Sequence, residues 1–280
     1  MGFPTRPSNV RVCHSTTPAR KVVRRTILET AWGGCQTRPR GAPGRAHPCA
    51  TIRDSVGGRV EQLTPEGIAM GLTAYVVLLF SLSVHESAHA WVAHKMGDDT
   101  ALMMGRVSLN PIVHIDPIGT LLFPLVQIFT GLPFLGWAKP TPYNPANFRR
   151  DVSLRQGHML VAGAGPVSNL LLAVLFTGFF FVIVRAGVPL TERHPLVMIV
   201  VAGIQMNVIL AIFNLLPIPP LDGSKVASYG LPGHFGDRYD RVMEPYGYMI
   251  LLLLMITGLL GYLISPITTW VIHALFRMVL

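Results

Sequence analysis

Residues 68–93 read IAMGLTAYVVLLFSLSVHESAHAWVA, apolar and helix-compatible throughout except for His85, Glu86 and His89 near the far end. A helix rising 1.5 Å per residue over that length crosses a hydrocarbon core of about 30 Å, so the stretch predicts a membrane-spanning helix. The composition of the whole chain agrees. Of its 280 residues half are hydrophobic and 13% charged, with a mean hydropathy of +0.46. That is too apolar and too charge-poor for an ordinary soluble domain, and it excludes disordered chains and disulfide scaffolds.

Working outward, Pro111 and Pro117 break the next segment, which therefore cannot continue as one helix. The apolar stretch 118–138 is interrupted by Pro124, Gly131 and Pro133 and predicts a re-entrant or hairpin element rather than a crossing. A Pro-, Asn- and Arg-rich loop occupies 139–156, and further spans are expected at 158–184, 196–216 and 246–264, with Pro266 breaking the chain before a last short apolar helix. The expectation is an all-α polytopic membrane protein of about four to six transmembrane helices with a Pro-interrupted re-entrant or hairpin region.

The net charge of +9 is not spread along the chain. Residues 1–60 hold eleven of the 23 lysines and arginines against two acids, whereas residues 61–280 hold twelve of each. Cys13, Cys35 and Cys49 also lie in the first segment, so neither a disulfide nor a cysteine metal site is expected in the apolar body. Residues 1–65 are expected to be a disordered basic tail, and residues 66–280 one membrane domain. The tail reads as a targeting peptide, as an arm for anionic lipid, or as upstream sequence from a start codon set too early. The last is favoured because Met70 opens the apolar body. No nucleic-acid partner is expected, since no fold accompanies the charge.

His85-Glu86-Ser87-Ala88-His89 has the H-E-x-x-H spacing. Residues four apart lie one above the other on a helix, so both imidazoles can face one metal ion with Glu86 beside it. A zinc held in this way keeps a position open for water, and the carboxylate can take the water's proton as general base. Three ionisable groups within five residues of a spanning helix also demand compensation. The bland alternative is that they satisfy one another as glue between helices.

A third ligand is expected at Asp222, the other acid in an apolar setting, within the run Asn214 to Gly223 that contains Pro217, Pro219 and Pro220. Those prolines end the regular helix and turn Asp222 back toward the interior; a plain helix-ending turn with an exposed aspartate is the alternative. If Asp222 joins the histidines, the first helix and the 196–216 helix run in the same direction. Positive-inside counting places Lys139, Arg149, Arg150 and Arg155, and again Lys225, Arg238 and Arg241, in the cytoplasm, so the site faces that side. The consequence is an exterior tail with eleven basic residues, against the same rule.

With these two motifs the chain resembles the site-2 proteases, intramembrane zinc metalloproteases of the M50 peptidases that cut transmembrane helices of other proteins. The resemblance covers residues 68–266 and looks closest to the small prokaryotic members without PDZ or CBS domains. Asn110-Pro111, His114-Ile-Asp116-Pro117-Ile-Gly119, Gly136-Trp137-Ala138-Lys139-Pro140 and Ala164-Gly165-Pro166-Val-Ser-Asn169 carry it further. It implies one Zn2+ per chain, a transmembrane-helix substrate within the lipid bilayer, a bacterial cell membrane, and a place for Asn169 near the substrate or the developing oxyanion. From the residues alone, Asn169 reads equally as interhelical glue beside Gly163, Gly165 and Ser168. His114 and Asp116 read as loop-holding residues before a second metal site. The rival class is a metal transporter or channel, which predicts polar groups along the whole path rather than one cluster at one depth.

Overall fold

The computed structural model describes residues 64–130, 137–191 and 194–278. The three cysteines and all but the end of the basic tail, like Gly131 and Pro133, lie outside the described residues. Helix α1, Pro65–Lys95, begins where the Thr64 hydroxyl accepts the Gly67 N–H at 3.1 Å, with Pro65 in the first turn, a position where the missing donor costs nothing. It ends at Met96, followed by Gly97 at φ 107. A short helix α2, Thr100–Met103, and a single turn over Pro111–His114 follow.

The described ends of the next segment lie side by side. A π-helical turn over Pro117–Leu122 runs into α3, Phe123–Thr130. When the chain re-emerges, Trp137 donates its N–H to the Gly119 carbonyl at 3.2 Å and Lys139 donates to His114 at 2.9 Å. The Trp137 ring lies so close to Gly119 that a Cβ there would fall 2.4 Å from it. The two ends of the stretch are thus joined, as a re-entrant or hairpin element requires.

Helix α4, Leu154–Arg185, is capped by Ser153 and contains Pro166; α5 is Pro195–Asn214. The chain then turns into α6, Asp222–Gly230, α7, Gly233–Met243, α8, Gly247–Ile256, and α9, Leu259–Arg277. The helices α1, α4, α5 and α9 are long and apolar enough to cross a membrane. Their outer faces carry exposed Val76, Leu171, Leu175, Phe179 and Tyr262; such faces suit lipid.

One expectation needs correction. The run 246–264 is not one span broken after it by Pro266. The break is at Gly258, where φ is +73, a left-handed conformation that glycine adopts without a Cβ penalty, while Pro266 lies inside α9. A proline inside a membrane helix forfeits one backbone bond, and neighbouring groups absorb the loss.

The core between α4, α5, α8 and α9 is built from Ala173, Phe180, Val200, Ile204, Val208, Leu251, Leu260 and Ile264. Lipid gives helices no hydrophobic reason to associate, so close packing and polar contacts hold them together. Asn207 on α5 donates to Ser81 Oγ on α1 at 2.9 Å. This contact, with His85 meeting Asp222 just beyond α5, shows that α1 and α5 run in the same direction, while α4 runs against α1.

Candidate metal centre

On α1, His85 and His89 are one helical turn apart and both buried. Each ring is oriented from behind by α4. His85 Nδ1 lies 3.0 Å from Asn169 Oδ1 and His89 Nδ1 lies 2.6 Å from the Val161 carbonyl. Facing oxygen acceptors, both Nδ1 atoms are placed to donate, the tautomer in which both Nε2 atoms present lone pairs to a metal.

Those lone pairs converge. The two Nε2 atoms are 3.1 Å apart, and Asp222 Oδ2 is 3.1 Å from one and 3.3 Å from the other. Three acceptors so placed repel one another unless a cation sits among them. The fit can be tested numerically: a tetrahedral zinc with bonds of about 2.0 Å has edges of about 3.3 Å between its ligands. The observed triangle has that size, and its mixture of imidazole and carboxylate is a zinc donor set. Among the described residues these three form the one group of histidine and carboxylate side chains able to hold a metal.

The surrounding chain enforces this approach. A Cβ on Gly165 would lie 2.4 Å from His89 Nε2 and 2.5 Å from His85 Cε1, so only glycine lets α4 press this closely. Gly163, by contrast, faces open space. A Cβ on Gly223 would fall 2.3 Å from the Leu215 carbonyl, so the residue after Asp222 must be this small for α6 to fold back on the end of α5. The far end of α6 is clamped by Arg155 on α4, which donates to the carbonyls of Tyr229 and Ser228, each at 3.2 Å, and of Leu231.

Glu86 lines a cavity of about 360 Å³ that it shares with the triad, Asn214 and Lys225. Thr141 holds it: the backbone N–H and the hydroxyl of Thr141 both reach Glu86 Oε2 at 2.9 Å. Thr141 was not singled out from the sequence, although it follows the Trp137 to Pro140 motif directly. Asn169 lies behind His85, wholly buried, with its oxygen committed to that ring. His114 donates from Nε2 to the Ser108 carbonyl at 2.9 Å, and Asp116 caps the next turn by accepting from Ile118 and Gly119. Both hold the loop.

Two further features stiffen the rim. Asp98, fully buried just beyond α1, accepts from Thr100, Asn144 and Asn147. Burial opposes its ionisation, but those hydrogen bonds win and keep its carboxyl below the usual range. Tyr143 bonds His158 Nδ1 at 2.9 Å; burial, with Tyr229 and Asp222 near, pushes its hydroxyl up to about 12, so it stays a neutral donor.

Residues 189–258, the second half of this site, match the sequence pattern of Peptidase family M50. A protein of Bacillus subtilis named "Putative zinc metalloprotease YwhC" is 40% identical over 203 residues, covering 70% of this chain and 87% of that one. The chain belongs to peptidase family M50. A second relative, "Putative zinc metalloprotease Rip2" of Mycolicibacterium smegmatis, is 32% identical over 203 residues, covering 69% of this chain and 70% of its own. No solved structure matches the chain. With four helices suited to crossing a bilayer, this M50 peptidase is an integral membrane protein.

Proposed function

We infer that this chain is an intramembrane zinc metalloprotease that hydrolyses peptide bonds in or near the transmembrane helices of other membrane proteins. The observation that carries the reading is the zinc-sized triangle of His85, His89 and Asp222 with a carboxylate, Glu86, opening onto the same cavity. Membership of a peptidase family and relatives named zinc metalloproteases support it.

In this reading His85 and His89 through Nε2, and Asp222 through Oδ2, hold one zinc ion. When bound, zinc acts as a Lewis acid that brings the pKa of water toward neutrality. Asn169 and Val161 keep each imidazole in the tautomer that presents its lone pair, the usual task of groups behind a ligand histidine. Glu86 serves as general base, with Oε1 free among the described residues to take a proton while Thr141 fixes Oε2. The proton then passes to the leaving amine. Peptide bonds of a helix in lipid are masked by their own hydrogen bonds, so the cavity that holds Glu86 and the triad is where a locally unwound substrate would meet water.

Lys139, Arg149, Arg150, Arg155 and Lys225 cluster at the same end as the triad, which supports a cytoplasmic site in a bacterial cell membrane. The decisive experiment is Glu86→Gln in purified, lipid-reconstituted protein, with a transmembrane-helix peptide as substrate. Zinc stoichiometry should stay at one per chain while cleavage falls by at least about a hundredfold. Cleavage at the native rate would refute the reading, and undiminished zinc flux without cleavage would favour a transporter.

A further inference from the structure

The cavity holds one group that the proposed chemistry does not use. Lys225, on α6 one turn after Asp222, lines it together with Glu86 and the triad. Among the described residues lining the cavity it is the one lysine or arginine, and it forms no ion pair with any described carboxylate. The two acids nearest in function are engaged elsewhere: Asp222 Oδ2 faces the histidines and Glu86 Oε2 faces Thr141.

Lys225 is nevertheless held in place. Its Nζ lies 5.6 Å from the centroid of the Tyr143 ring, within cation–π range. That ring is itself anchored, since its hydroxyl bonds His158 on α4 and His158 stacks on Tyr229 of α6 with ring centroids 4.4 Å apart and planes at 3°. The lysine head is therefore positioned by an aromatic platform that joins α4, α6 and the 139–153 loop.

We propose that Lys225 forms an anionic subsite that receives an aspartate or glutamate side chain of the substrate close to the scissile bond. The proposal rests on the proteolytic reading above and names a feature of its substrates. Three residues of helix separate Asp222 from Lys225 by about 4.5 Å along the axis, and an extended peptide advances roughly 3.3 Å per residue. An acid within about three positions of the cut bond therefore reaches the ammonium. A substrate side chain is favoured over a lipid phosphate because a headgroup on Lys225 would occupy the cavity that the scissile peptide has to enter. Lys225 stands at an exposed position of the cavity whose lining also includes Leu210, Phe213 and Leu221, so an incoming carboxylate meets it without displacing a protein partner.

The test uses full-length Glu86→Gln protein in phosphatidylcholine nanodiscs and fluorescent transmembrane-helix peptides with Glu or Gln walked one position at a time through the sequence. At one position Glu should bind about five- to tenfold more tightly than Gln. Adding Lys225→Met should bring that ratio to one, and Lys225→Glu should reverse it in favour of Lys at the same position. A Glu preference that survives Lys225→Met, or no preference at any position, overturns the subsite. It is equally overturned if Lys225→Met weakens all peptides alike and only in discs containing phosphatidylglycerol, which would assign the ammonium to lipid phosphate. Because binding is read without turnover, a wild-type protein that cuts none of the peptides while the preference stands refutes the proteolysis and leaves the anion site. A cut peptide with a flat preference refutes the subsite alone.

Discussion

Replacing Gly165 with alanine is the sharpest perturbation of the triad, because it leaves the ligands and Glu86 chemically unchanged and acts on them only by crowding. The added Cβ would lie 2.4 Å from His89 Nε2 and 2.6 Å from His85 Nε2, whereas ordinary contact begins near 3.4 Å. One or both rings, or the whole of α4, must therefore retreat by about 1 Å, half the length of a zinc–nitrogen bond. Overpacking of this kind costs about 1–3 kcal/mol, and a displacement of 1 Å at a reacting centre costs about a hundredfold in rate. Cleavage of a transmembrane-helix peptide should fall by about that factor, and zinc content, measured by mass spectrometry after dialysis, should drop well below one per chain. Gly163→Ala, on the same helix but facing open space, is the control and should leave both values near wild type. Full zinc occupancy and native activity in Gly165→Ala would refute the claim that α4 presses on the histidines.

Asn169→Leu removes the acceptor behind His85 and should weaken zinc affinity by about ten- to a hundredfold, read by competition with a chelator; unchanged affinity would leave Asn169 a mere helix contact. Thr141→Val deletes the hydroxyl bond to Glu86 but keeps the N–H; at about 1 kcal/mol it should lower kcat roughly fivefold with KM unchanged, and Thr141→Ser should restore it. Because the folded pKa of Asp98 lies below its unfolded value, its contribution to stability is complete above about pH 4 and fades as pH falls through the folded value. The unfolding midpoint should therefore drop on acidification, and Asp98→Asn should flatten that dependence while destabilising the protein at neutral pH by about 2 kcal/mol.

How much was legible in advance depended on how local the physics was. The His85 to His89 spacing is a property of one helix turn, and the apolar runs at 68–93, 158–184 and 196–216 announce spans because lipid admits few alternatives. Pro217, Pro219 and Pro220 likewise mark where α5 must stop. The grip of Thr141 on Glu86 was not legible, since it joins residues 55 apart and follows a stretch that is itself tied back to Gly119 and His114 by long-range backbone bonds. Gly165 was visible only as a small residue, and nothing local revealed that two imidazoles occupy the space its side chain would need. The break at Gly258 escaped notice because glycine is common in membrane helices, and only its φ of +73 separates a kink from an ordinary turn.

Arg155 and Gly165 belong to the same helix, so a single rod both abuts the imidazoles and tethers the segment that bears Asp222. A tilt of that rod would disturb the packing behind both imidazoles and the anchor of α6 at once, whereas independent supports would let each change by itself. The geometry of the donor set is thereby tied to one helix besides those that carry the ligands themselves. Under the proposed function, in which a foreign helix is admitted beside the ligands, such a common chassis would keep the donor set together.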